Sequence, residues 1–353
     1  MTPDAASPTH AGLFKVIGAS RDDLRGFLAG IGAPPYRADQ VLRWVYRAGA
    51  VDFAAMTNLS RSLRSTLAER AALLTSCVAD AAESGDGTRK LLIALCDGAA
   101  VEAVAIPEGH RHTACISTQV GCDIGCAFCA SGIGGMERNL TPGEIVEQVL
   151  HAQKHLPSGA TLTNLVVMGI GEPLMNYDAL VQAIRVLTAP WGMALGPRRI
   201  TVSTIGLPNR IRQLADEGLG VNLAVSLHAS DDATRERLVP HARPLDEIAA
   251  AARHYLHKTG REVTFEYVLV KNVNESPGDA RGLAELVGGE RILVNLLPLN
   301  PVEGSPWQEP PPARVERFAA ELRRRGVRVQ VRKRRGADIA GACGQLRRRA
   351  RGG

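Results

Sequence analysis

Three cysteines lie within eight residues of this chain, in the run Cys122-Asp-Ile-Gly-Cys126-Ala-Phe-Cys129. The C-x3-C-x2-C spacing is typical of a loop that wraps one metal centre. A cubane iron–sulfur cluster has four irons and takes cysteine thiolates, so three thiolates leave one iron without a protein ligand. An open coordination position indicates a reactive metal centre, as opposed to a closed structural one. The spacing therefore predicts a reactive 4Fe–4S cluster on Cys122, Cys126 and Cys129.

Zinc is the alternative occupant of this loop. His110, His112 and Cys115 lie close upstream, and mixed Cys/His sets bind zinc. However, zinc ligands usually come as two pairs, and the chain has no second C-x2-C. The spacing therefore favours the cluster.

Composition and charge exclude several classes of protein. The chain has 353 residues, of which 45% are hydrophobic and 22% charged, so gross disorder is not expected. No stretch has the length of a membrane span, and the first residues lack a signal-peptide core, so we expect a cytoplasmic protein without a membrane partner. The net charge is +6, but residues 323–351 alone carry twelve Lys/Arg and one acid. This basic end indicates RNA as a partner; a solvated, frayed terminus is the alternative.

From residue 114 onward, apolar strands alternate with amphipathic helices, which predicts a parallel sheet. Six or seven such units fit an α/β fold of the partial TIM type, a (β/α)6 barrel, preceded by a small helical accessory domain. A doubly wound open sheet is the alternative. We expect four segments: a helical domain (1–72), a β-hairpin connector (73–113), the barrel (114–335) and a C-terminal tail (336–353).

Polar segments follow the predicted strands, at the rim where (β/α) barrels bind ligands. Glycines let the backbone approach a ligand closely, and carboxylate, hydroxyl, amide and imidazole groups can bind amines, ribose hydroxyls or carboxylates. Each segment alone could be a turn or a helix cap, but their convergence on one rim predicts a ligand site. The candidates are Gly171, Glu172, Ser203, Ser226, His228 and Asn300.

Three residues outside this rim could also do chemistry. Glu102 lies in a predicted strand, on the face of apolar neighbours, which indicates either an edge position or a base; the pattern alone favours the edge. Cys343 lies between small residues in a polar tail, where access suits a nucleophile. Cys115 lies on the first barrel strand, seven residues before Cys122.

The chain resembles the RlmN/Cfr family of radical S-adenosylmethionine (radical SAM) RNA methyltransferases. The resemblance runs from about residue 20 to Leu346 and rests on several motifs occurring in the right order. They are Val101-Glu102-Ala-Val104, Cys115-Ile-Ser-Thr-Gln-Val-Gly-Cys122, the cysteine loop, Arg138-Asn139-Leu140, Met168-Gly-Ile-Gly-Glu172-Pro173-Leu174, Arg199-Ile-Thr-Val-Ser203-Thr204, Ser226-Leu-His228-Ala and Asp338-Ile-Ala-Gly-Ala-Cys343-Gly-Gln-Leu346.

The resemblance implies a radical SAM partial barrel and methylation of C2 of an adenine in 23S rRNA and of an adenine beside the tRNA anticodon. It implies that the three loop cysteines hold a 4Fe–4S cluster and that two SAM molecules are used per turnover. It further implies that Cys343 becomes S-methylcysteine, that Cys115 resolves a protein–RNA adduct by forming a disulfide with Cys343, and that Glu102 accepts a proton. The implied SAM site comprises Gly171, Glu172, Ser203, Ser226, Leu227, His228 and Asn300.

The family also implies an electron donor such as flavodoxin or ferredoxin, and a monomer is the default state. Two departures leave alternatives open: Ile205 stands where the family more often has serine, and Asp338-Ile-Ala-Gly-Ala-Cys343 lacks a second aspartate. C8 methylation of the Cfr type is therefore an alternative to C2. More remote alternatives are a radical SAM enzyme with another substrate and a non-catalytic zinc protein that binds RNA.

Overall fold

The computed structural model describes residues 12–240, 243–300, 305–332 and 336–339. Its architecture is α/β, with a ten-stranded sheet and a preceding helical domain, as the sequence predicts. Cys343 lies outside the described residues, together with the rest of segment 340–353.

The N-terminal domain consists of three ten-residue helices closed by a short parallel strand pair. A capping box begins the first helix: the backbone N–H of Asp23 donates to Oγ of Ser20, and the N–H of Ser20 donates to the Asp23 carboxylate, both at 3.1 Å. Ser60 caps the third helix. The elements are β1 (Phe14–Lys15), α1 (Arg21–Gly30), α2 (Arg37–Tyr46), α3 (Arg61–Arg70) and β2 (Ala71–Ala72).

The large sheet begins with antiparallel strands and continues with parallel ones. The Asp97-Gly98 turn joins the second and third strands, with Gly98 at φ +85°. In sheet order the strands are β3 (Ser76–Glu83), β4 (Arg89–Leu95), β5 (Ala100–Glu108), β6 (Arg111–Cys115), β9 (Asn164–Val167), β10 (Ile200–Thr204), β11 (Asn222–Ser226), β12 (Val263–Leu269), β13 (Leu293–Pro298) and β14 (Arg328–Val331).

The position of β5 corrects one interpretation. Glu102 was expected from its pattern to occupy a sheet edge, but β5 lies between β4 and β6 and is hydrogen-bonded to both. The edge interpretation is wrong because the hairpin does not stand apart from the barrel. It continues the same sheet across β6.

Helices connect the parallel strands, as the alternation of strands and helices predicts. Two features were missed: the small hairpin β7 (Gln119–Gly121) and β8 (Met136–Asn139), and the short polar helix α7 (Asp232–Leu238). The other helices are α4 (Pro142–Lys154), α5 (Tyr177–Thr188), α6 (Pro208–Asp216), α8 (Leu245–Thr259), α9 (Pro277–Val287) and α10 (Pro312–Arg324). Across the described ranges, no helix combines the length and the apolar character needed to cross a bilayer.

Each sheet strand presents alternate side chains to two faces. One face carries Val202, Val225 and Phe265, which belong to the large hydrophobic core with the helices. We call the opposite face the inner face. Its residues follow from the register: Ser226 lies beside Glu266, and Glu266 beside Asn295.

Candidate active site

The inner face continues from the parallel strands into the hairpin. Cys115 on β6 is in register with Val166 on β9 and with Val104 on β5, and register partners share a face. Glu102 lies two residues from Val104 on the same strand and therefore on the same face. Cys115 and Glu102 therefore lie near one another on the inner face, on the neighbouring strands β6 and β5.

The cysteine loop lies between β7 and β8 and packs on a small apolar cluster. All three cysteines are partly buried. The backbone N–H of Ala127 donates to the carbonyl oxygen of Leu238 at the end of α7, at 2.9 Å. The cluster beneath Cys122 and Cys126 consists of Ile124, Leu238, Val239, Val270 and Leu299. The loop is therefore anchored against the carboxyl ends of the strands.

The chemistry of these thiols fits a bound metal cluster. Burial raises the pKa of Cys122 to about 11 and raises the pKa of Cys126 further, and neighbouring thiolates add to both shifts. Thiols with a raised pKa ionise readily only if a cationic centre compensates their charge. Among the described residues no three His, Cys, Asp or Glu side chains are grouped so that they could hold one metal ion. A cubane cluster does not need such a group, because each of its thiolates binds a different iron. The donor set thus fits a cluster.

Glu172 binds protein backbone. Its carboxylate accepts hydrogen bonds from the N–H of Leu174 at 2.9 Å and of Ile205 at 2.8 Å, and the residue is 2% exposed. Burial raises its pKa to about 7. The side chain therefore connects the loop after β9 to the loop after β10.

The glycines of the same loop are explained by close approach to the β6–β7 segment. At Gly169 a Cβ atom would lie 2.7 Å from the backbone of Ile116. At Gly171, which has φ +104°, it would lie 2.6 Å from Gln119. Both glycines therefore bring the loop against the chain that leads into the cysteines.

His228 has one defined tautomer. Its Nδ1 accepts a hydrogen bond from the N–H of Val268 at 3.1 Å, so the neutral ring carries its hydrogen on Nε2. Burial lowers the pKa of His228 to about 3, which keeps it neutral. The ring meets Phe128 of the cysteine loop edge-on, with centroids 4.8 Å apart. His228 can therefore offer an N–H donor next to the cysteine loop.

The other predicted ligand-binding residues have different environments. Ser203 and Ser226 are half-buried on the inner face, and Asn300 is half-buried beyond β13. Leu227 is completely buried in the helix-side core, so it can contribute only backbone atoms to a ligand site.

Arg235 of α7 is a residue that sequence reasoning missed. It is 1% exposed and donates to the carbonyl oxygen of Ser226 at 2.9 Å and to those of Leu227 and Ile205. Burial lowers its pKa to about 10, so it stays charged at neutral pH. It therefore fixes the ends of β10 and β11 relative to the cysteine loop. A single arginine in a short polar stretch carries no sequence signal for this role.

Ser117 and Lys90 were also missed. Oγ of Ser117 donates to the carbonyl oxygen of Glu102 at 2.7 Å and accepts from the N–H of Ile170 at 2.9 Å. Lys90 on β4 forms an ion pair with Glu102, with Nζ 2.9 Å from Oε2. The only signal for Lys90 was a charged residue next to an apolar strand run.

Two family models match the chain. Residues 14–73 match the ribosomal RNA large subunit methyltransferase N-terminal domain, and residues 116–283 match the radical SAM superfamily. A solved radical SAM methyltransferase from Sphaerobacter thermophilus is 46% identical, with a TM-score of 0.91 over 94% of this chain and 98% of that one. The fold and the cysteine loop are thus those of the radical SAM methyltransferases, a class that implies a 4Fe–4S cluster and SAM.

Relatives narrow the class further. A probable dual-specificity RNA methyltransferase RlmN from Symbiobacterium thermophilum is 46% identical, over 94% of this chain and 91% of its own length. One from Thermus thermophilus is 47% identical over 88% of both chains. The dual-specificity RNA methyltransferase RlmN of Halorhodospira halophila is 43% identical, over 96% of this chain and 94% of its own. The chain belongs to the RlmN family. This membership sets aside the non-catalytic zinc protein.

Proposed function

We propose that this protein methylates C2 of adenine in 23S rRNA and in tRNA. The observation that carries the proposal is the common inner face of Cys115 and Glu102 beside the cysteine loop. A resolving thiol and a proton acceptor next to a radical source are the groups that a covalent methyl transfer to an aromatic carbon needs. The relatives' designation as dual-specificity RNA methyltransferases supports both RNA substrates.

In this proposal Cys122, Cys126 and Cys129 hold the cluster, and bound SAM supplies the 5′-deoxyadenosyl radical. His228 donates from Nε2 to SAM. Ser203, Ser226 and Asn300 bind it from the inner face and the rim, with the backbone of Gly171 and Leu227. Glu172 contributes by holding the Gly171 loop in place.

The remaining groups act on the RNA. Cys343, which lies outside the described residues, carries the methyl group as S-methylcysteine. Glu102 removes the ring proton of the covalent adduct, and Cys115 releases the product by forming a disulfide with Cys343. We further propose a monomer that acts in the cytoplasm with a flavodoxin- or ferredoxin-type electron donor.

The test uses anaerobically reconstituted protein with SAM, a reductant and unmodified 23S rRNA or tRNA. Nucleosides are released by digestion and identified by mass spectrometry. We expect 2-methyladenosine from both RNAs. Finding 8-methyladenosine instead would contradict the C2 assignment, and 5′-deoxyadenosine without a methylated nucleoside would contradict the RNA substrate. Cys126→Ser, which removes one of the proposed cluster ligands, should give no methylated nucleoside. Cys77→Ser, which changes an exposed cysteine on β3, is the matched control and should leave product formation unchanged.

A second experiment tests the role of Cys115. Cys115→Ala is expected to accumulate protein covalently joined to RNA, because the adduct forms but cannot be resolved. Normal product without an adduct would contradict this role. Gel electrophoresis under denaturing conditions separates the two outcomes.

A further inference from the structure

Lys90 and Glu102 form an ion pair in the interior of the protein. Nζ of Lys90 lies 2.9 Å from Oε2 of Glu102, and their side chains are 0% and 2% exposed. Lys90 lies opposite Val104 on the neighbouring strand, and Val104 lies opposite Cys115. The pair therefore lies on the inner face, with Glu102 one strand and Lys90 two strands beyond the proposed resolving cysteine on β6.

Stability does not account for a pair of this kind. Removing two charges from water costs several kcal/mol per ion, and well-packed apolar residues often replace a buried pair without loss. The neighbouring positions on the same face are apolar: Leu92 on β4 lies opposite Glu102, Val104 on β5 lies opposite Lys90, and both are buried. Apolar side chains at 90 and 102 would therefore suit the sheet, so the charges call for a chemical explanation.

We propose that Lys90 is a positioning residue that pairs with the Glu102 carboxylate and orients it for proton transfer from the RNA adduct. This inference rests on the proposed function, in which Glu102 is the proton acceptor. A carboxylate removed from water favours its protonated form unless a cation compensates the charge. The Lys90 ammonium group, 2.9 Å away, is the cation that meets the Glu102 carboxylate.

The transfer step balances as follows. The C2–H bond of the adduct breaks, its electron pair stays in the ring, and the proton passes to a carboxylate oxygen of Glu102. The pair then consists of a neutral acid beside an ammonium group. Because an unpaired buried cation is unfavourable, the acid gives up its proton to water once the product leaves.

The backbone of Glu102 is held independently of its side chain. Ser117 donates to the Glu102 carbonyl oxygen at 2.7 Å and accepts from Ile170, which precedes the Gly171 loop. The backbone of Ser117 is in turn held to α4, because its N–H donates to Oε1 of Gln148 at 2.8 Å. Ser117 therefore holds the backbone carbonyl of Glu102, and Lys90 holds its carboxylate.

The experiment uses full-length, reconstituted protein and an rRNA fragment deuterated at adenine C2. In Lys90→Met we expect product formation to fall on the order of 100-fold, the scale of a lost general base. The covalent RNA–protein adduct should accumulate and retain its deuterium. A merely structural role would not produce this result, since a damaged fold forms no adduct. The Cys115→Ala adduct, in contrast, should have lost its deuterium.

Three further variants make the outcomes distinguishable. Glu102→Gln should match Lys90→Met; if it turns over normally, the proposed proton acceptor is wrong. If Glu102→Gln accumulates deuterated adduct while Lys90→Met turns over within threefold of the wild type, the role of Lys90 is refuted and that of Glu102 stands. Lys258→Met, which breaks an exposed ion pair with Asp216, should leave turnover unchanged.

The double variant Lys90→Met/Glu102→Gln covers a failure of Lys90→Met to fold, because it leaves no buried charge unpaired. If Lys90 acts only through Glu102, the double variant should yield as much deuterated adduct as Glu102→Gln alone. A yield tenfold lower would show that Lys90 acts elsewhere and would overturn the inference.

Discussion

The backbone N–H of Val268 donates to Nδ1 of His228, and this bond decides which nitrogen of the ring can serve a ligand. His228 has φ +62°, in the left-handed region, and is 5% exposed. The backbone and the tautomer are thus both set by the protein. His228 was predicted from sequence as a ligand-binding residue, and the structure adds that only Nε2–H is available for binding.

Replacing His228 by asparagine should weaken SAM binding. Asparagine tolerates the left-handed backbone, so the chain should fold, but it cannot place a donor where Nε2 lies. We expect the Kd for SAM to rise about tenfold, the scale of one hydrogen bond to a charged group. Isothermal titration of reconstituted protein measures this change. Phe128→Leu, which removes the ring contact but no donor, is the control and should shift the Kd less.

Replacing Glu172 by glutamine should change how stability depends on pH. Glu172 has a pKa of about 7 when folded and an ordinary value of 4.5. Between these values the folded chain binds more protons than the unfolded chain, so its free energy of unfolding falls as pH rises. The loss amounts to at most about 3 kcal/mol, and it is complete above the folded pKa.

Urea unfolding of the metal-free protein from pH 5 to pH 8 tests this sign. The free energy of unfolding of the wild type minus that of Glu172→Gln should decrease across this range. Taking the difference cancels the contributions of the other titrating groups. Parallel curves for the two proteins would contradict the prediction. Glu316→Gln, at an exposed position on α10, should give parallel curves.

Replacing Arg235 by methionine should destabilise the protein and the cysteine loop together. The change leaves carbonyl oxygens of Ser226, Leu227 and Ile205 without their charged donor, at a cost of about 3 kcal/mol. Chemical unfolding and the iron and sulfide content after reconstitution should both fall. Arg237→Met removes an exposed arginine of the same helix and should change neither. Full cluster loading in Arg235→Met would count against the role of Arg235 beside the loop.

Replacing Gly171 by alanine should cost more than backbone strain alone. The new Cβ would lie 2.6 Å from Gln119, whose Oε1 accepts from the N–H of Glu172 at 2.8 Å. Gly159→Ala provides the comparison, since Gly159 has φ +79° and nothing within 4 Å of its Cβ position. Strain is worth about 1–3 kcal/mol at either site, and the clash should add to it at Gly171. Equal losses of unfolding free energy in Gly171→Ala and Gly159→Ala would show that the Gln119 side chain moves aside without an energetic cost.

Local patterns predicted the features that depend on nearby residues. The spacing of Cys122, Cys126 and Cys129 needs one loop, and the rim positions of Ser203 and Ser226 follow from where apolar strands end. The capping box at Ser20 and the turn at Gly98 are equally local. These predictions held because the signal and the structure share the same few residues.

Features that depend on distant partners were not predictable in this way. The carboxylate of Glu172 accepts a hydrogen bond from the N–H of Ile205, 33 residues away. Arg235 reaches Ile205 across 30 residues. Lys90 and Glu102 lie on adjacent strands, yet their pairing depends on register. Sequence periodicity indicates a face of a strand, but it does not indicate which group on a neighbouring element that face will meet.

At one contact between the N-terminal domain and the barrel, both residues are glycines. A Cβ at Gly18 would lie 2.3 Å from the backbone nitrogen of Gly143 on α4, and one at Gly143 would lie 2.6 Å from the carbonyl oxygen of Ile17. Gly18 also donates its N–H to the hydroxyl of Tyr46 at 3.2 Å. A different helical domain could therefore be fused to this barrel only if it also had a glycine at this contact. The N-terminal domain and the barrel are thus expected to have evolved together.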